Sequence, residues 1–385
     1  MELIKAIFLE RINRFVVRAK IEDKEVLAYL PNPGRLWELL LPGRELLLKA
    51  AHNNAYKYTV IACYKENIPV LLHTHLTNDY IKELLLQGRV QFLSNYEFVG
   101  KEPKIGKSRL DFLLRNRETE KELFLEVKTC TLFGSKLAMF PDAETKRGTK
   151  HLYELAKLAS QGKEAGCLFV VMSPYVEYFL PAYHIDQAFT QAFLETYSLV
   201  KYVAIGISFN EDFTKVNQIK PLKIPIELLK EEFKNSGSYL VILEVKSSVA
   251  PLVGHLGEIP LKKGYYVYVG SAKKNLYQRI NRYLRKNKKK FWHIDYLLDV
   301  AKIYKIVPIL SSKSWECEIA SELSNFAETS IKNFGASDCN CKSHLLYFPS
   351  NPLLNPHFIN LINYFRLEKP CLLSLKSAAT GDFAG

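Results

Sequence analysis

Two stretches decide the fold of the central part of this chain: SRLDFLLR at residues 108–115 and LFLEVKTCTL at residues 123–132. Both are rich in residues that favour strands, and a charged turn joins them, so we predict a β-hairpin. Residues two apart on a strand share a face, so Glu126 and Lys128 point the same way. Asp111, on the neighbouring strand, can join them. The pattern therefore predicts two carboxylates and an ammonium group on one face of a sheet.

Such a face suits metal-assisted hydrolysis of a phosphodiester. Asp111 and Glu126 would hold Mg²⁺ or Mn²⁺, hard cations that take oxygen ligands. Lys128 would orient the attacking water or neutralise the developing charge on the phosphate. The alternative is a cross-strand ion pair on a solvated hairpin, and the spacing by itself favours that alternative because such triplets are common on exposed strands.

Composition and charge limit the class of protein. A chain of 385 residues is too long for one ordinary core and suits two or three domains, and 48% hydrophobic with 24% charged residues is typical of a folded globular protein. We expect no membrane span and no signal peptide, and we expect the seven cysteines to be reduced thiols of a cytoplasmic protein. The net charge is +13, and residues 259–294 hold eleven basic residues and no acidic one. That concentration hints at a polyanionic partner.

Turn signals and periodicity give a coarse map of the chain. Short alternating runs over residues 4–50 predict a small antiparallel β-barrel. A helical stripe at 145–161 followed by strands at 167–172 and 202–208 indicates an α/β domain. Prolines and a Lys/Glu cluster at 216–237 are typical of a linker.

A set of motifs in the first part of the chain resembles the sugar fermentation stimulation protein A family, in the right order over about residues 1–225. The motifs are LERINRF (9–15), PNPGRL (31–36), SRLDF (108–112), EVKTCTL (126–132) and FPDAETKRGTKHL (140–152). The resemblance implies an OB-like domain at 1–80 and a PD-(D/E)xK nuclease-like α/β domain at 81–225. It also implies DNA binding and a role in regulating sugar (maltose) metabolism. The nuclease motif carries over as Asp111, Glu126 and Lys128.

Three further residues are candidates near this motif. Glu102 is a possible additional metal ligand, with a surface loop acid as the alternative. Arg147 and His151 are four apart at the start of a helix and so share a face. They are candidate catalytic residues that contact phosphate near the metal, with a polar helix face as the alternative.

The β-rich N-terminal part carries a candidate nucleic-acid surface. Arg11, Arg14, Phe15 and Arg35 combine cations with an aromatic ring, a mixture that OB surfaces use to bind single strands. In the alternative, Phe15 is a core residue and the arginines are solvated.

The C-terminal part holds a second catalytic candidate. Glu316 would hold one Mg²⁺, and Arg279 would bind the scissile phosphate through its fork of donors. The residue that moves a proton would be Tyr239, Tyr268 or His293. The alternative is a basic platform for nucleic acid without chemistry, in which the tyrosines pack. The basic residues expected to contact phosphate are Arg282, Arg285, Lys288, Lys289 and Lys290.

Motifs in this part resemble an uncharacterised GIY-YIG-like domain family over about residues 236–350. They are GYYVYVGSA (264–272), FWHIDYL (291–297), ECEIA (316–320) and FGASDCNCKSHL (334–345). The resemblance implies a GIY-YIG-like α/β domain at 237–350, after a linker at 226–236 and before a C-terminal extension at 351–385. The fold class we expect is therefore a multi-domain protein of β and α/β modules.

Cys317, Cys339, Cys341 and His344 offer the ligands of a Cys₃His zinc site. Their C-x-C-x₂-H spacing is not a usual zinc-knuckle spacing, so we expect packing or capping rather than bound Zn²⁺.

Three hypotheses for function follow from the sequence. The leading one is a Mg²⁺-dependent nuclease that acts on DNA. The rival is a DNA-binding regulator whose nuclease-like folds grip the duplex without cutting it. In the third, the protein is a nuclease that acts on structured RNA, and single-stranded DNA stays open as the form of the DNA partner.

Overall fold

The computed structural model describes residues 2–51, 55–106, 108–285 and 287–372. It divides into two compact units, Met1–Ile226 and Glu227–Gly385. The first contains a β-barrel followed by an α/β domain, and the second is a smaller α/β domain. The expected fold class, a succession of β and α/β modules, is confirmed.

The barrel forms because short alternating strands can close on themselves without leaving a free edge. Strands β1–β5 are joined in the order β3-β2-β1-β4-β5, and a parallel pairing of β3 with β5 closes the ring. Small and branched side chains such as Val17, Ala19 and Leu46 fill the interior. The strands are β1 Ile4–Asn13, β2 Val16–Ile21, β3 Lys24–Tyr29, β4 Glu45–Ala50, β5 Tyr58–Lys65 and β6 Ile68–Leu71, which extends the sheet beside β5.

The α/β domain is built around a mixed sheet in the order β17-β16-β14-β11-β10-β7, in which β11, β14 and β16 run parallel. The continuous apolar run that predicts a buried strand lies in β14, the middle of these three. Smaller sheets pair β8 with β9, and β12, β13 and β15. The strands are β7 Tyr96–Lys101, β8 Lys104–Ile105, β9 Ser108–Arg109, β10 Phe112–Asn116, β11 Glu122–Cys130, β12 Leu132–Phe133, β13 Leu137–Phe140, β14 Glu164–Val171, β15 Tyr178–Pro181, β16 Lys201–Phe209 and β17 Val216–Leu222.

The predicted hairpin is confirmed by the antiparallel pairing of β10 with β11, with Phe112 opposite Leu125. Its first strand is shorter than expected, because the chain bends before Phe112.

Helices cover this sheet through apolar stripes. They are α1 Thr74–Leu86, α2 Lys146–Ser160 and α3 Gln187–Thr196. The expected helix at 145–161 is confirmed by α2, which buries Leu152 and Leu155 on the same face as His151. The Thr145 side chain accepts a hydrogen bond from the Gly148 amide and so caps the start of α2. Because the cap fixes the residue at which α2 begins, it also fixes the face of the sheet that Arg147 and His151 approach.

The linker expected over 216–237 is wrong for its first part. Val216–Leu222 is β17, which pairs antiparallel with β16 at the edge of the sheet. Pro221, one of the residues that indicates a linker, is tolerated there because an edge strand has one side without ladder partners. Ile226–Glu232 then forms the short helix α4.

The second unit is an antiparallel sheet in the order β20-β18-β19-β22-β21 with helices packed on it. Long apolar strands β18 and β19 pair along nine residues each, from Gly237 opposite Ala272 to Val245 opposite Gly264. The elements are β18 Gly237–Val245, β19 Gly264–Ala272, α5 Leu276–Tyr283, α6 His293–Leu297, β20 Lys302–Leu310, α7 Glu316–Ser324, β21 Thr329–Ser330, β22 Leu345–Phe348 and α8 Pro356–Asn363. Over the residues that the structure describes, no helix is long and apolar enough to cross a bilayer.

We predict that the buried acid Glu38 makes the stability of the first unit depend on pH. Burial, helped by the charge of Asp142, raises the pKa of Glu38 to about 8 from an ordinary value of 4.5. The folded state therefore keeps a proton that the unfolded state has lost, and stability falls as pH rises from about 4.5 to about 8, by at most roughly 1.4 kcal/mol per pH unit. Glu38→Gln should flatten this dependence in urea unfolding measured across that range.

The matched control is Glu25→Gln, which changes an exposed acid of the same barrel. It should leave the pH slope of the wild type intact. An equal slope in Glu38→Gln and the wild type would show that Glu38 is ionised in the folded state.

Candidate functional site

Asp111 lies at the bend just before β10, so the expectation that it sits within the strand is wrong by one residue. Its carboxylate is nevertheless held against β11, because Oδ2 accepts a 2.7 Å hydrogen bond from the Val127 amide. Oδ1 accepts a 2.8 Å hydrogen bond from the Asn78 side chain on α1. These two hydrogen bonds, one from the backbone of β11 and one from a side chain on α1, fix the Asp111 carboxylate in place.

Glu126 and Lys128 lie on one face of β11, as the strand period predicts. Glu126 Oε1 accepts hydrogen bonds from the Lys128 ammonium and from His151 Nδ1. Glu126 is 3% exposed, and within the described ranges its second oxygen, Oε2, is buried without a hydrogen-bond partner. Buried polar atoms are nearly always partnered, so this oxygen marks a place for a ligand.

The two carboxylates have opposite pKa shifts. Burial and, after it, the nearby charge of Glu126 together raise the pKa of Asp111 to about 6. Burial also raises the pKa of Glu126, but the hydrogen bond from His151 and the charge of Lys128 outweigh it and hold that pKa below its usual range. Two acids that raise each other's free energy when both are ionised form a natural site for a divalent cation.

His151 and Arg147 meet on α2, as their spacing predicts. Arg147 Nε donates to His151 Nε2 at 3.4 Å, so His151 carries its proton on Nδ1 and donates it to Glu126. His151 is buried, whereas Arg147 is exposed. The helix therefore supplies one residue that orients Glu126 and one that faces solvent.

A cavity of about 660 Å³ lies beside the two carboxylates within the first unit. Asp111, Glu126, Lys128 and Arg147 line it, and so does Glu102. The Glu102 carboxylate, however, pairs with Arg109 at 3.1 Å and is largely exposed. The structure thus places Glu102 at the rim and brings the other four residues together.

Two residues of this site were missed by sequence reasoning. Asn78 donates to Asp111 from a helix whose sequence gives no hint of that role. Asp142 lines the cavity, and its Oδ2 accepts a 2.6 Å hydrogen bond from the Leu36 amide of the barrel loop. The signal for Asp142 was present, because it stands inside the FPDAETKRGTKHL stretch.

The barrel residues divide by exposure. Arg11 donates to the carbonyls of Gly34 and Arg35 at 2.7 and 2.8 Å, so its guanidinium holds the loop at residues 32–35. Phe15 is 42% exposed and therefore is not a core residue, and the Arg14 guanidinium lies 5.7 Å from its ring.

Arg35 is half-buried, and its guanidinium lies 5.2 Å from the Trp37 ring. Arg14 and Phe15 are thus the exposed cation–aromatic pair of the barrel surface.

The C-terminal candidates cluster as expected. Burial raises the pKa of Tyr268 well above its usual value, and the nearby Tyr239 and Glu316 act in the same direction, whereas the Arg279 guanidinium acts against them. Arg279 donates to the Ser271 carbonyl at 2.8 Å, and Glu316 Oε2 accepts a hydrogen bond from the Ser271 hydroxyl.

Tyr239 and Tyr268 are both deeply buried in this cluster. Tyr239 shares a 2.7 Å hydrogen bond with the hydroxyl of Tyr283. A Cβ on Gly270 would lie 2.5 Å from the Tyr239 ring, so the glycine admits the tyrosine. The Tyr239 hydroxyl is therefore packed inside the domain.

The basic segment holds two kinds of cation. Arg282 forms a two-pronged ion pair with Asp295, at 2.8 Å for each contact, and so holds the start of α6. Lys288 donates to backbone carbonyls, and Lys290 pairs with Asp299. Arg285 and Lys289 are exposed.

The structure brings together the Cys317, Cys339 and Cys341 sulfurs and a ring nitrogen of His344, all within 4.8 Å of one another. His344 Nδ1 also lies 3.0 Å from Glu316 Oε1. The packing expected from their sequence spacing does not account for four metal-ligating atoms that converge.

Three family models match the chain. Residues 9–72 match the SfsA N-terminal OB domain, and residues 75–213 match the sugar fermentation stimulation protein RE domain. Residues 238–367 match a domain of unknown function, DUF123.

Curated relatives match the first part of the chain over nearly their whole length. The sugar fermentation stimulation protein homolog of Clostridium tetani is 35% identical over 212 residues, which are 54% of this chain and 92% of the relative. The homolog of Clostridium kluyveri is 36% identical over 214 residues, 55% of this chain and 93% of the relative. The chain belongs to the sugar fermentation stimulation protein family. Unlike these relatives, it continues into the second unit.

A solved structure of this family supports the same assignment. The SfsA protein of Pyrococcus furiosus in complex with Ca²⁺ is 28% identical, with a TM-score of 0.54, and the match covers 58% of this chain and 96% of that chain. Both expected resemblances, to the sugar fermentation stimulation family and to the GIY-YIG-like family, are confirmed.

We predict that Arg282 and Arg285, three residues apart, differ in what they do. Arg282→Ala leaves the buried Asp295 carboxylate without its cation and should lower the free energy of unfolding of the second unit by about 2 kcal/mol. Arg285→Ala changes an exposed cation and should stay within about 0.5 kcal/mol of the wild type. Chemical denaturation of the two variants compares them directly, and equal stabilities would contradict a structural role for Arg282.

Proposed function

We propose that this protein binds DNA and hydrolyses its phosphodiester bonds with a divalent cation held by Asp111 and Glu126. The observation that carries the proposal is the orphaned Oε2 of buried Glu126, beside the Asp111 carboxylate on the wall of the cavity. An unpartnered buried carboxylate oxygen is costly, and a cation ligated there would remove that cost.

The donor set fits a hard cation. Asp111 and Glu126 offer carboxylate oxygens, the ligands that Mg²⁺, Mn²⁺ and Ca²⁺ prefer. The related Pyrococcus furiosus protein was solved in complex with Ca²⁺, which supports a site of this kind. When bound, such a cation polarises the phosphate and lowers the pKa of a bound water.

The chain's own residues then do the positioning. His151 holds Glu126 Oε1, so Oε2 is the oxygen that remains available. The Lys128 ammonium, with 13% of its side chain exposed, lies at the same carboxylate and can neutralise charge on a phosphate oxygen. Arg147, exposed at the cavity wall, has the planar fork of donors that matches a phosphate. These proposed roles are those expected of a PD-(D/E)xK nuclease-like domain, which the family resemblance implies.

DNA as the substrate is supported by the surroundings of the cavity. Arg14 of the barrel lines the same cavity as the carboxylates and lies beside the exposed ring of Phe15. Cations with an aromatic ring suit a nucleic-acid strand, whose backbone is charged and whose bases stack.

The test is cleavage of plasmid, linear and single-stranded DNA, with structured RNA in the same panel, in the presence of Mg²⁺ or Mn²⁺. We expect DNA products with the wild type. Asp111→Ala and Glu126→Ala should each lower the rate by about 100-fold or more, because each removes a cation ligand. Glu97→Ala, which removes an exposed acid on the edge strand of the same sheet, should keep the wild-type rate.

Binding of DNA without product under every metal would contradict the nuclease proposal. Cleavage of RNA but not DNA would change the substrate class and leave the site assignment intact.

The second candidate function is a DNA-binding regulator of sugar metabolism that does not cut. The cluster of eleven basic residues at 259–294 is the observation that favours it. We predict that Arg285→Ala with Lys289→Ala lowers the slope of log affinity against log salt by about 0.9 for each phosphate that the variant no longer neutralises. An unchanged slope in fluorescence-anisotropy titrations would show that these exposed residues do not bind phosphate.

A further inference from the structure

Four metal-ligating side chains converge in the second unit from two separate parts of the chain. Cys317 lies in the first turn of α7, while Cys339, Cys341 and His344 lie in the segment that leads into β22. Their ligand atoms all lie within 4.8 Å of one another. The sequence spacing hides this convergence, because folding places the α7 cysteine beside a segment more than 20 residues later in the chain.

The distances suit a tetrahedral ion. Zn–S bonds of about 2.3 Å and Zn–N bonds of about 2.0 Å put a sulfur and a nitrogen ligand roughly 3.5 Å apart at the tetrahedral angle. Cys339 Sγ and His344 Nε2 are 3.5 Å apart. Small side-chain movements would bring the remaining pairs from at most 4.8 Å to ligand separations.

The histidine is oriented as a metal ligand. Its Nδ1 lies 3.0 Å from Glu316 Oε1, so Nδ1 carries the proton and donates it to the carboxylate. Nε2 is then the acceptor, and it is the nitrogen that faces the cysteine sulfur. A histidine that ligates zinc through one nitrogen and donates to a carboxylate through the other is the usual arrangement in proteins.

The backbone holds this histidine in register. The His344 amide donates to the Phe334 carbonyl at 2.8 Å, and its carbonyl accepts from the Val269 amide of β19 at 2.9 Å. His344 is buried, whereas Cys317 is exposed and the other two cysteines are half-buried. The cluster therefore has one fixed ligand inside the domain and a route for an ion from solvent.

We propose that Cys317, Cys339, Cys341 and His344 bind one Zn²⁺ in a closed, structural Cys₃His site, with Glu316 as the hydrogen-bond partner of the ligating histidine. Four protein ligands leave no open position for a substrate, so the ion acts on the fold. It ties the segment around Gly335 to α7, and that glycine is where the chain passes close to the Tyr268 ring.

One consequence concerns Glu316. Its Oε1 faces His344 and its Oε2 accepts from Ser271, so both oxygens already have partners. The carboxylate predicted to hold Mg²⁺ in this domain is then a positioning residue of the zinc site. This inference is independent of the nuclease proposal, which rests on the first unit.

The experiment uses the full chain purified under reducing conditions. Elemental analysis should find one zinc per chain, and Co²⁺ exchanged into the site should show the visible absorption of tetrahedral cobalt with thiolate ligands. Cys339→Ser and Cys341→Ser should lose both signals. Cys63→Ala, a matched control in a barrel strand of the first unit, should keep them.

Glu316→Gln tests the hydrogen bond between Glu316 and His344 and leaves the four zinc ligands unchanged. It should retain zinc but bind it about 10- to 100-fold more weakly in a competition titration with a chelator. Wild-type protein without zinc and without a cobalt spectrum would overturn the proposal, whatever the variants do. A disulfide between two of the three cysteines in freshly purified protein would overturn it as well.

Discussion

The burial of the Glu126 carboxylate is the constraint on which the first unit's site depends. β11 lies inside a sheet, so this acid is removed from water, and the fold must supply a cation and a hydrogen-bond donor to keep it ionised. Lys128 comes from the same strand and His151 from α2, whose start is capped by Thr145. Lys128 and His151 both donate to Oε1 of Glu126, so Oε2 has no hydrogen-bond partner within the described residues.

The predictable part of this site is local. Strand periodicity placed Glu126 and Lys128 together, and helix periodicity placed Arg147 with His151. Asp111 was placed on a strand, whereas it lies in the bend before one, since its carboxylate is held by the Val127 amide rather than by strand direction. The bond from Asn78 joins elements more than 30 residues apart in sequence, and no short-range pattern reports such a contact.

The same distinction explains the surface residues and the cysteines. A sequence shows that Arg11 and Arg282 are cations but not that their guanidinium groups are held by loop carbonyls and by Asp295. It shows an unusual spacing of Cys339, Cys341 and His344, but only the packing of α7 brings Cys317 to them. Tertiary contacts therefore decide which arginines and cysteines hold the fold together and which are available to bind a ligand.

The two units concentrate different chemistry. The first has the carboxylate pair with an orphaned oxygen, and the second has the concentrated positive charge and the thiol cluster. In the second, the corresponding carboxylate, Glu316, already has partners for both oxygens. The most direct measurement of the central claim is anomalous diffraction at the manganese edge from crystals soaked in Mn²⁺. A peak within ligand distance of both Asp111 and Glu126 is the predicted result. Its absence there, in crystals that bind Mn²⁺ elsewhere, would contradict the account.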